Sequence, residues 1–479
     1  MIFSSATFFV FFAAVMAVYM LARTPGQRAA ILLAASIIFY ASWKPAYLIL
    51  LAISVTANWW VYRAMLATRS RALMISAIVA NLTALACFKY LALIIESYLW
   101  LARMSGADVA VVKPGWIDWV LPLGISFYTF HMLSAMIDVY RGECTKRISY
   151  RHWCLFVTFF PQLIAGPIVR VHELVAQLEV LQPVTWRNVK IGAFIFAGGL
   201  IKKTLLADNL APLVDQLYAH PEGLDFMRAW VATLAFGMEI YLDFSGYSEM
   251  ALGLARMFGV ELPLNFQFPY ISRNPAEFWH RWHMSLSRWL RDYLYISLGG
   301  NRGGRFATYR NLFLTMLLGG LWHGANWTFV FWGFLHGGLL VLHRLLNEGL
   351  RRLGSVADAG PGRSLSWLGW PFTFVAVHFT WVFFRAPNFA DAWQICGAML
   401  GLSPPTAPLV PLRLYEIVGV LGTVGLVLIE PKIVGLFQRH GVDWWWRVPF
   451  PLRGAAYASL VIALVVFGGP TAKFIYFDF

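Results

Sequence analysis

The chain has 479 residues, 59% of them hydrophobic and only 13% charged, against about 25% charged in soluble domains; its mean hydropathy is +0.62. Aromatics supply 16% of it, with 22 tryptophans, more than a soluble core needs and suited to interfacial belts. The net charge of +14 is spread over short loops between apolar stretches, where it reads as a topology signal rather than a phosphate-binding face. A soluble enzyme is excluded, and nucleic acid is not an expected partner. The four cysteines, Cys87, Cys144, Cys154 and Cys396, are scattered without metal-site spacing, so they read as small buried hydrophobes and no metal is expected.

The opening MIFSSATFFVFFAAVMAVYML has no basic n-region or clean cleavage site and reads as a retained first span. Apolar stretches then fall near 29–43, 47–62, 73–98, 117–139, 153–169, 190–207, 227–243, 247–260, 308–322, 326–346, 366–385, 411–430 and 452–470. At about 20 residues per crossing, these predict about eleven or twelve true spans, the remainder re-entrant or interfacial. The polar stretch 347–364 reads as a loop by its Gly, Pro and Ser content. With no repeat or dividing linker, a single all-α membrane domain over 1–479 is expected, its core near 117–346. Basic residues at 22–28, 63–72, 141–151, 343–363 and 432–447 place those loops in the cytoplasm and the N-terminus outside.

Several spans carry polar groups that hydropathy does not explain. LPLGISFYTFHMLSAMIDVYRGE (121–143) holds Gly124, His131 and Asp138, and FFPQLIAGPIVR (159–170) packs two prolines, Gln162 and Gly166 into apolar surroundings. A backbone broken in this way survives at membrane depth only inside protein or along a cavity. GLIKKTLLADNLA (199–211) places Lys202 and Lys203 in an apolar helix, and YLDFSGYSEM (241–250) buries Asp243 and Glu249. Together these features predict a polar tunnel within the bundle.

The densest chemistry lies between Asn274 and His336. Asn274, Pro275 and Glu277 form a helix start signal: a cap, a proline at the first position and a capping-box acid. The spacing predicts one amphipathic, basic helix through Leu294, with Arg281, Arg288 and Arg291 on one side and His283, Ser285 and Ser287 beside them. Gly299 and Gly300 end it and 301–305 form a basic loop. A second apolar run then leads directly into Trp322-His323-Gly324. Ionisable residues in such surroundings are costly and mark a functional site.

The ordered motifs LPLGISFYTF, FFPQLIAGPIVR, LDFSGYSEMALGLARMFG, FWHRWHMSLSRWLRDYLYISLGGNR and GLWHGANWTFVFWGFLHG resemble the membrane-bound O-acyltransferase (MBOAT) family. TWVFFRAPNFADA at 380–392 and the ending FIYFDF resemble its alginate O-acetyltransferase branch. The resemblance implies the family fold around a tunnel in a bacterial inner membrane, and transfer of an acetyl group from a cytoplasmic donor, acetyl-coenzyme A, with no bound cofactor. The acceptor it implies is a hydroxyl of an exported or cell-envelope polysaccharide, reached directly or through a periplasmic esterase-like partner. His323 matches the family's catalytic histidine and His283 its second one; His280 departs from the basic or amide residue usual in this branch.

Hydroxyl attack on a thioester needs a base, and an imidazole suits neutral pH. His323 fits that role, with His283 orienting it or stabilising the oxyanion; a transient acyl group on His323 is an open alternative. Arg281, Arg288 and Arg291, with Arg302 and Arg305, could hold donor phosphates, although snorkelling to lipid headgroups explains them equally well. His280, Ser285, Trp322, Asn326, His336, Asp243 and Gln162 are candidates for lining the tunnel. His131, Asp138 and His378 fit satisfied structural polar groups better. Two other functions share these features: D-alanyl transfer to teichoic acid, and a transporter without chemistry, which has no need of a base at a Trp-His-Gly break.

Overall fold

Helix α1 (Ala6–Leu21) starts where Ser5 Oγ accepts the N–H of Phe8. Helix α2 (Pro25–Ala41) starts where Thr24 and Gln27 cap each other reciprocally, ahead of a proline whose missing N–H is not needed there. The computed structural model describes residues 1–106, 121–352, 366–440, 443–469 and 474–475. Among the described residues every regular element is helical. The chain divides into two compact units, residues 1–196 with 248–263, and 197–247 with 264–479.

In the first unit, α1 and α2 are followed by α3 (Tyr47–Thr68), α4 (Arg71–Lys89), α5 (Leu91–Met104), α6 (Ile125–Arg141), α7 (Tyr150–Thr158), α8 (Val171–Glu179) and the start of α9 (Trp186–Ile201). The expected stretch 73–98 is two helices that meet at Tyr90. Asn58 on α3 and Asn81 on α4 exchange amide hydrogen bonds of 3.0 and 2.8 Å, satisfying two buried amides at once. Phe3, Phe8, Phe11, Phe39 and Phe160 pack as one ring cluster.

The broken segment 159–169 is buried throughout, and its backbone groups are taken up by protein. Phe160 N–H donates to Ser36 Oγ at 3.1 Å and Val169 N–H to His131 Nε2 at 3.3 Å. Gln162 Nε2 donates to the Phe156 carbonyl at 2.9 Å. Gly124 takes a left-handed φ of 68°, and a Cβ there would lie 2.7 Å from the Leu163 carbonyl oxygen. Glycine is therefore required where the two irregular motifs touch.

In the second unit, α9 gives way to a π-helical turn (Lys202–Ala207), then α10 (Asp208–Ala219). Helix α11 (Phe226–Met257) replaces the two spans expected at 227–243 and 247–260; its residues to 247 belong to this unit. The remaining helices are α12 (Pro275–Arg281), α13 (Met284–Trp289), α14 (Gly304–His323), α15 (Trp327–Arg352), α16 (Ser366–Arg385), α17 (Phe389–Met399), α18 (Leu414–His440), α19 (Asp443–Arg447) and α20 (Phe450–Val466). Residues 347–352 of the loop expected at 347–364 are helical instead, because α15 continues to Arg352; the rest of that stretch lies outside the described residues. Helix α14 likewise takes in Arg305, which the expected basic loop had included.

Helices α14 and α15 form a hairpin whose backbones approach closely at Gly320 and Gly333. A Cβ on Gly320 would lie 2.3 Å from the Phe329 carbonyl oxygen, and one on Gly333 2.4 Å from that of Met316. Four helical segments, Tyr47–Thr68, Arg71–Lys89, Trp327–Leu350 and Leu414–Phe437, are long and apolar enough to cross a bilayer. Shorter apolar helices are Ala6–Leu21, Pro25–Ala41 and Phe450–Val466.

Candidate active site

The helix predicted from Pro275 to Leu294 is interrupted. Asn274 Oδ1 accepts the Glu277 N–H at 2.8 Å, as the start signal requires. Glu277 reaches back one residue further than a capping box would, to the N–H of Arg273 at 2.8 Å. The helix then stops at Arg281. Trp282 is extended and His283 is left-handed, with φ 40° and ψ 55°. After α13 the chain widens into a π-helical turn, Leu290–Tyr295.

The break is imposed by the segment before it. Gln267 N–H donates to the Arg281 carbonyl at 2.9 Å, and Met284 N–H to the Asn265 carbonyl at 2.8 Å. Asn265 Oδ1 accepts from Ser285 Oγ at 2.6 Å and from Ser285 N–H at 3.3 Å. Trp282 N–H keeps its helical bond to the Phe278 carbonyl at 2.8 Å, but the N–H groups of Met284 and Ser285, which a continuous helix would direct to the carbonyls of His280 and Arg281, are taken by Asn265 instead. A left-handed residue with a Cβ costs about 1–2 kcal/mol, and such outliers persist where the surroundings over-determine them. Phe268, at the other end of the paired segment, is also left-handed, with φ 54°.

His283 is fully buried, and neither ring nitrogen has a hydrogen-bond partner among the described residues. Its ring stands edge-on to Phe244 at 4.7 Å and 6.4 Å from Trp322. A buried imidazole left without partners is costly. His323 is 3% exposed and occupies the last position of α14, where Gly324 ends the helix in an extended conformation. Three rings enclose it: Trp322 at 4.9 Å, Trp332 at 5.0 Å and Phe384 at 5.4 Å. The indole of Trp322 thus contacts both histidines.

His336 is buried and satisfied at both nitrogens, by Trp279 and Thr380. Ser285 is occupied by Asn265, and Asn326 starts α15, accepting the Thr328 N–H at 3.0 Å and donating to the Pro387 carbonyl at 2.8 Å. His280 is exposed and bonded to its own helix at the Ala276 carbonyl, 2.7 Å away. Arg281 pairs with Glu277 at 2.9 Å and donates to the Gln267 carbonyl. Arg291, largely exposed, pairs with Asp292 at 2.7 Å, and Arg288 is half-buried on α13. His378 donates from Nδ1 to the Phe374 carbonyl at 2.7 Å, while its buried Nε2 has no hydrogen-bond partner among the described residues. Gln162 belongs to the first unit, in the segment already described.

Asp243 sits in a buried ion cluster that spacing did not reveal. Lys203 Nζ lies 2.6 Å from Asp243 Oδ1 and 2.7 Å from Asp208 Oδ1, and Asp243 Oδ2 accepts the Ile475 N–H at 2.7 Å. Beside it, Lys202 pairs with Glu430 at 2.5 Å, and Glu430 also accepts from Tyr241 Oη at 2.7 Å. Sequence reasoning saw the two lysines without their partners. It also missed Asn265, Trp279, Trp332 and Thr380. Asn265 lies in the stretch ELPLNFQFPY (261–270), which has no periodic signal, and the other three look like ordinary apolar-helix residues.

Apolar helices here enclose two buried imidazoles against one indole, ionisable groups in surroundings where they are costly. The chain belongs to the membrane-bound O-acyltransferase family, whose model matches residues 143–384, and it is a membrane acyltransferase. It is 41% identical to the "Probable alginate O-acetylase AlgI" of Pseudomonas aeruginosa, over 94% of this chain and 84% of that protein. It is 36% identical to the "Peptidoglycan O-acetyltransferase" of Helicobacter pylori, over 78% of the chain and 73% of that protein. The "Teichoic acid D-alanyltransferase" of Streptococcus thermophilus matches at 29%, over 46% of the chain and 56% of that protein.

Proposed function

We propose that this enzyme transfers an acetyl group from acetyl-coenzyme A on the cytoplasmic side to a hydroxyl of an exported or cell-envelope polysaccharide. An alginate-type glycan is the acceptor favoured, reached directly or through a periplasmic esterase-like partner. The similarity to alginate and peptidoglycan O-acetylating proteins over most of the chain supports acetyl over D-alanyl transfer. The membrane arrangement that goes with this reading is one domain in the bacterial inner membrane, with its N-terminus outside and about eleven or twelve crossings around a tunnel.

The observation that carries the reading is His283, buried, left-handed and without a partner at either nitrogen, one indole away from His323. In the proposed reaction, His323 removes the acceptor hydroxyl's proton as its oxygen bonds to the thioester carbon. The carbon–sulfur bond then breaks, and the proton passes to the departing thiolate. A base of this kind contributes about 10²–10⁴-fold. His283 supplies a donor toward the oxygen on which charge develops, and such a donor contributes about 10²–10³-fold.

The substrate reading is tested by expressing the full chain in a bacterium deleted for its own envelope O-acetylation genes, together with the neighbouring genes from the source genome. Exported and envelope glycans are then assayed for acetyl and D-alanyl esters. Acetyl esters that depend on His323 support the proposal; D-alanyl esters without acetyl esters contradict it.

A further inference from the structure

His336 is held so tightly that its tautomer can be assigned. An indole N–H only donates, so Trp279 Nε1, 3.2 Å from His336 Nδ1, requires Nδ1 to be an acceptor. An imidazolium would set N–H against N–H, so the ring is neutral with its proton on Nε2. That nitrogen lies 2.9 Å from Thr380 Oγ1. The threonine hydroxyl proton is already directed at the Val377 carbonyl, 2.7 Å away, which leaves its oxygen to accept from His336. Donors and acceptors therefore run in one direction, Trp279 to His336 to Thr380 to Val377.

The same ring lies at a junction between the two candidate catalytic histidines. It stacks on Phe278 with 12° between planes, and its centroid is 4.7 Å from that of Trp332. Trp332 is 1% exposed and stands edge-on to His323 at 5.0 Å. Through Trp279, His336 also grips α12, the helix that ends one residue before the Trp282–His283 turn. Through Thr380 it is fixed to α16, which carries Phe384, another wall of the His323 enclosure.

We propose that His336 is a positioning residue for acyl transfer. Locked as the Nε2–H tautomer, it fixes Trp279 and Trp332 together, and so sets the orientation of His323 and of the His283 turn without exchanging a proton itself. This rests on the catalytic reading of His323 and His283 given above. Placement errors near 1 Å can cost about 10²-fold in rate, so the residue can matter greatly while touching no substrate.

The test uses the full chain in nanodiscs with acetyl-coenzyme A, an envelope-glycan extract and the products of the neighbouring genes, comparing His336→Gln, His336→Phe and Thr380→Val. Glutamine keeps one acceptor and one donor; phenylalanine keeps the ring and loses both bonds. The expected result is His336→Gln within about threefold of wild-type kcat, and His336→Phe about 10²-fold down with KM for acetyl-coenzyme A unchanged. Thr380→Val should fall between them, and the pH–kcat profile should keep its shape in His336→Gln. His336→Gln as inactive as His336→Phe overturns the proposal, as does wild-type kcat in His336→Phe. If His336→Phe does not fold, Thr380→Val against His336→Gln carries the comparison. ¹⁵N-histidine spectra of the resting protein report the tautomer without any turnover. An Nδ1–H or doubly protonated His336 refutes the assignment even if His323 proves catalytic. The expected tautomer with a fully active His323→Ala variant removes the catalytic reading and leaves the lock in place.

Discussion

Asn265 Oδ1 accepts the Ser285 hydroxyl at 2.6 Å, and this bond closes the turn that carries His283. Asn265 is 2% exposed and Ser285 equally buried, so loss of the acceptor removes two interior hydrogen bonds to Ser285 at once. Removing one partner of a buried hydrogen bond costs about 1–3 kcal/mol. Asn265→Leu is expected to lower kcat at least tenfold while KM for the thioester changes little. Steady-state kinetics of the purified protein, with a thermal melt to confirm folding, check this.

The Lys203 cluster makes a prediction about stability rather than chemistry. Removing one partner of a buried ion pair strands a charge and costs about 3–5 kcal/mol, whereas replacing the whole group with apolar residues can be nearly neutral. Lys203→Met alone should therefore melt well below wild type. Lys203→Met combined with Asp208→Leu and Asp243→Leu should recover part of that loss. Melting curves of the three proteins in the same detergent decide it; a triple variant less stable than Lys203→Met alone goes against the account.

The α14–α15 hairpin is held at a distance that only glycine permits at Gly320 and Gly333. A methyl group 2.3 Å from a backbone carbonyl cannot be accommodated without parting the helices. Gly320→Ala, three residues before His323, should lower acetyl transfer at least tenfold. Gly338→Ala on the same hairpin meets nothing within 4 Å and should be close to wild type. Measuring both separates the packing argument from a general sensitivity of the helices.

Much of the fold and of the candidate site could be read from residue order alone. The Asn274 cap, the helix end at the Trp-His-Gly break and the burial of the 159–169 segment follow from local chemistry, and all appear in the structure. The left-handed His283 could not be read, because the apolar and basic periodicity runs on through 282–283 as though the helix continued. What breaks it is a pairing with Asn265 and Gln267, 14 to 20 positions earlier, which no helical pattern records. His336 and Asp243 were legible as polar residues in apolar helices. Their partners Trp279, Thr380, Lys203 and Asp208 belong to other elements or to a π-helical turn, so their roles emerge only from packing. The extension of α15 to Arg352 went unseen because Gly349 and the polar residues around it resemble a loop.

The most direct test of the central claim is single-turnover kinetics of His323→Ala and His283→Ala in nanodiscs. Acetyl-labelled coenzyme A is supplied with an envelope-glycan extract and the products of the neighbouring genes, and coenzyme A release and glycan labelling are followed together. The account predicts that His323→Ala loses at least 10²-fold in both signals while folding and binding the donor as wild type does. It predicts a smaller loss, about tenfold or more, for His283→Ala. Wild-type transfer by folded His323→Ala would contradict it.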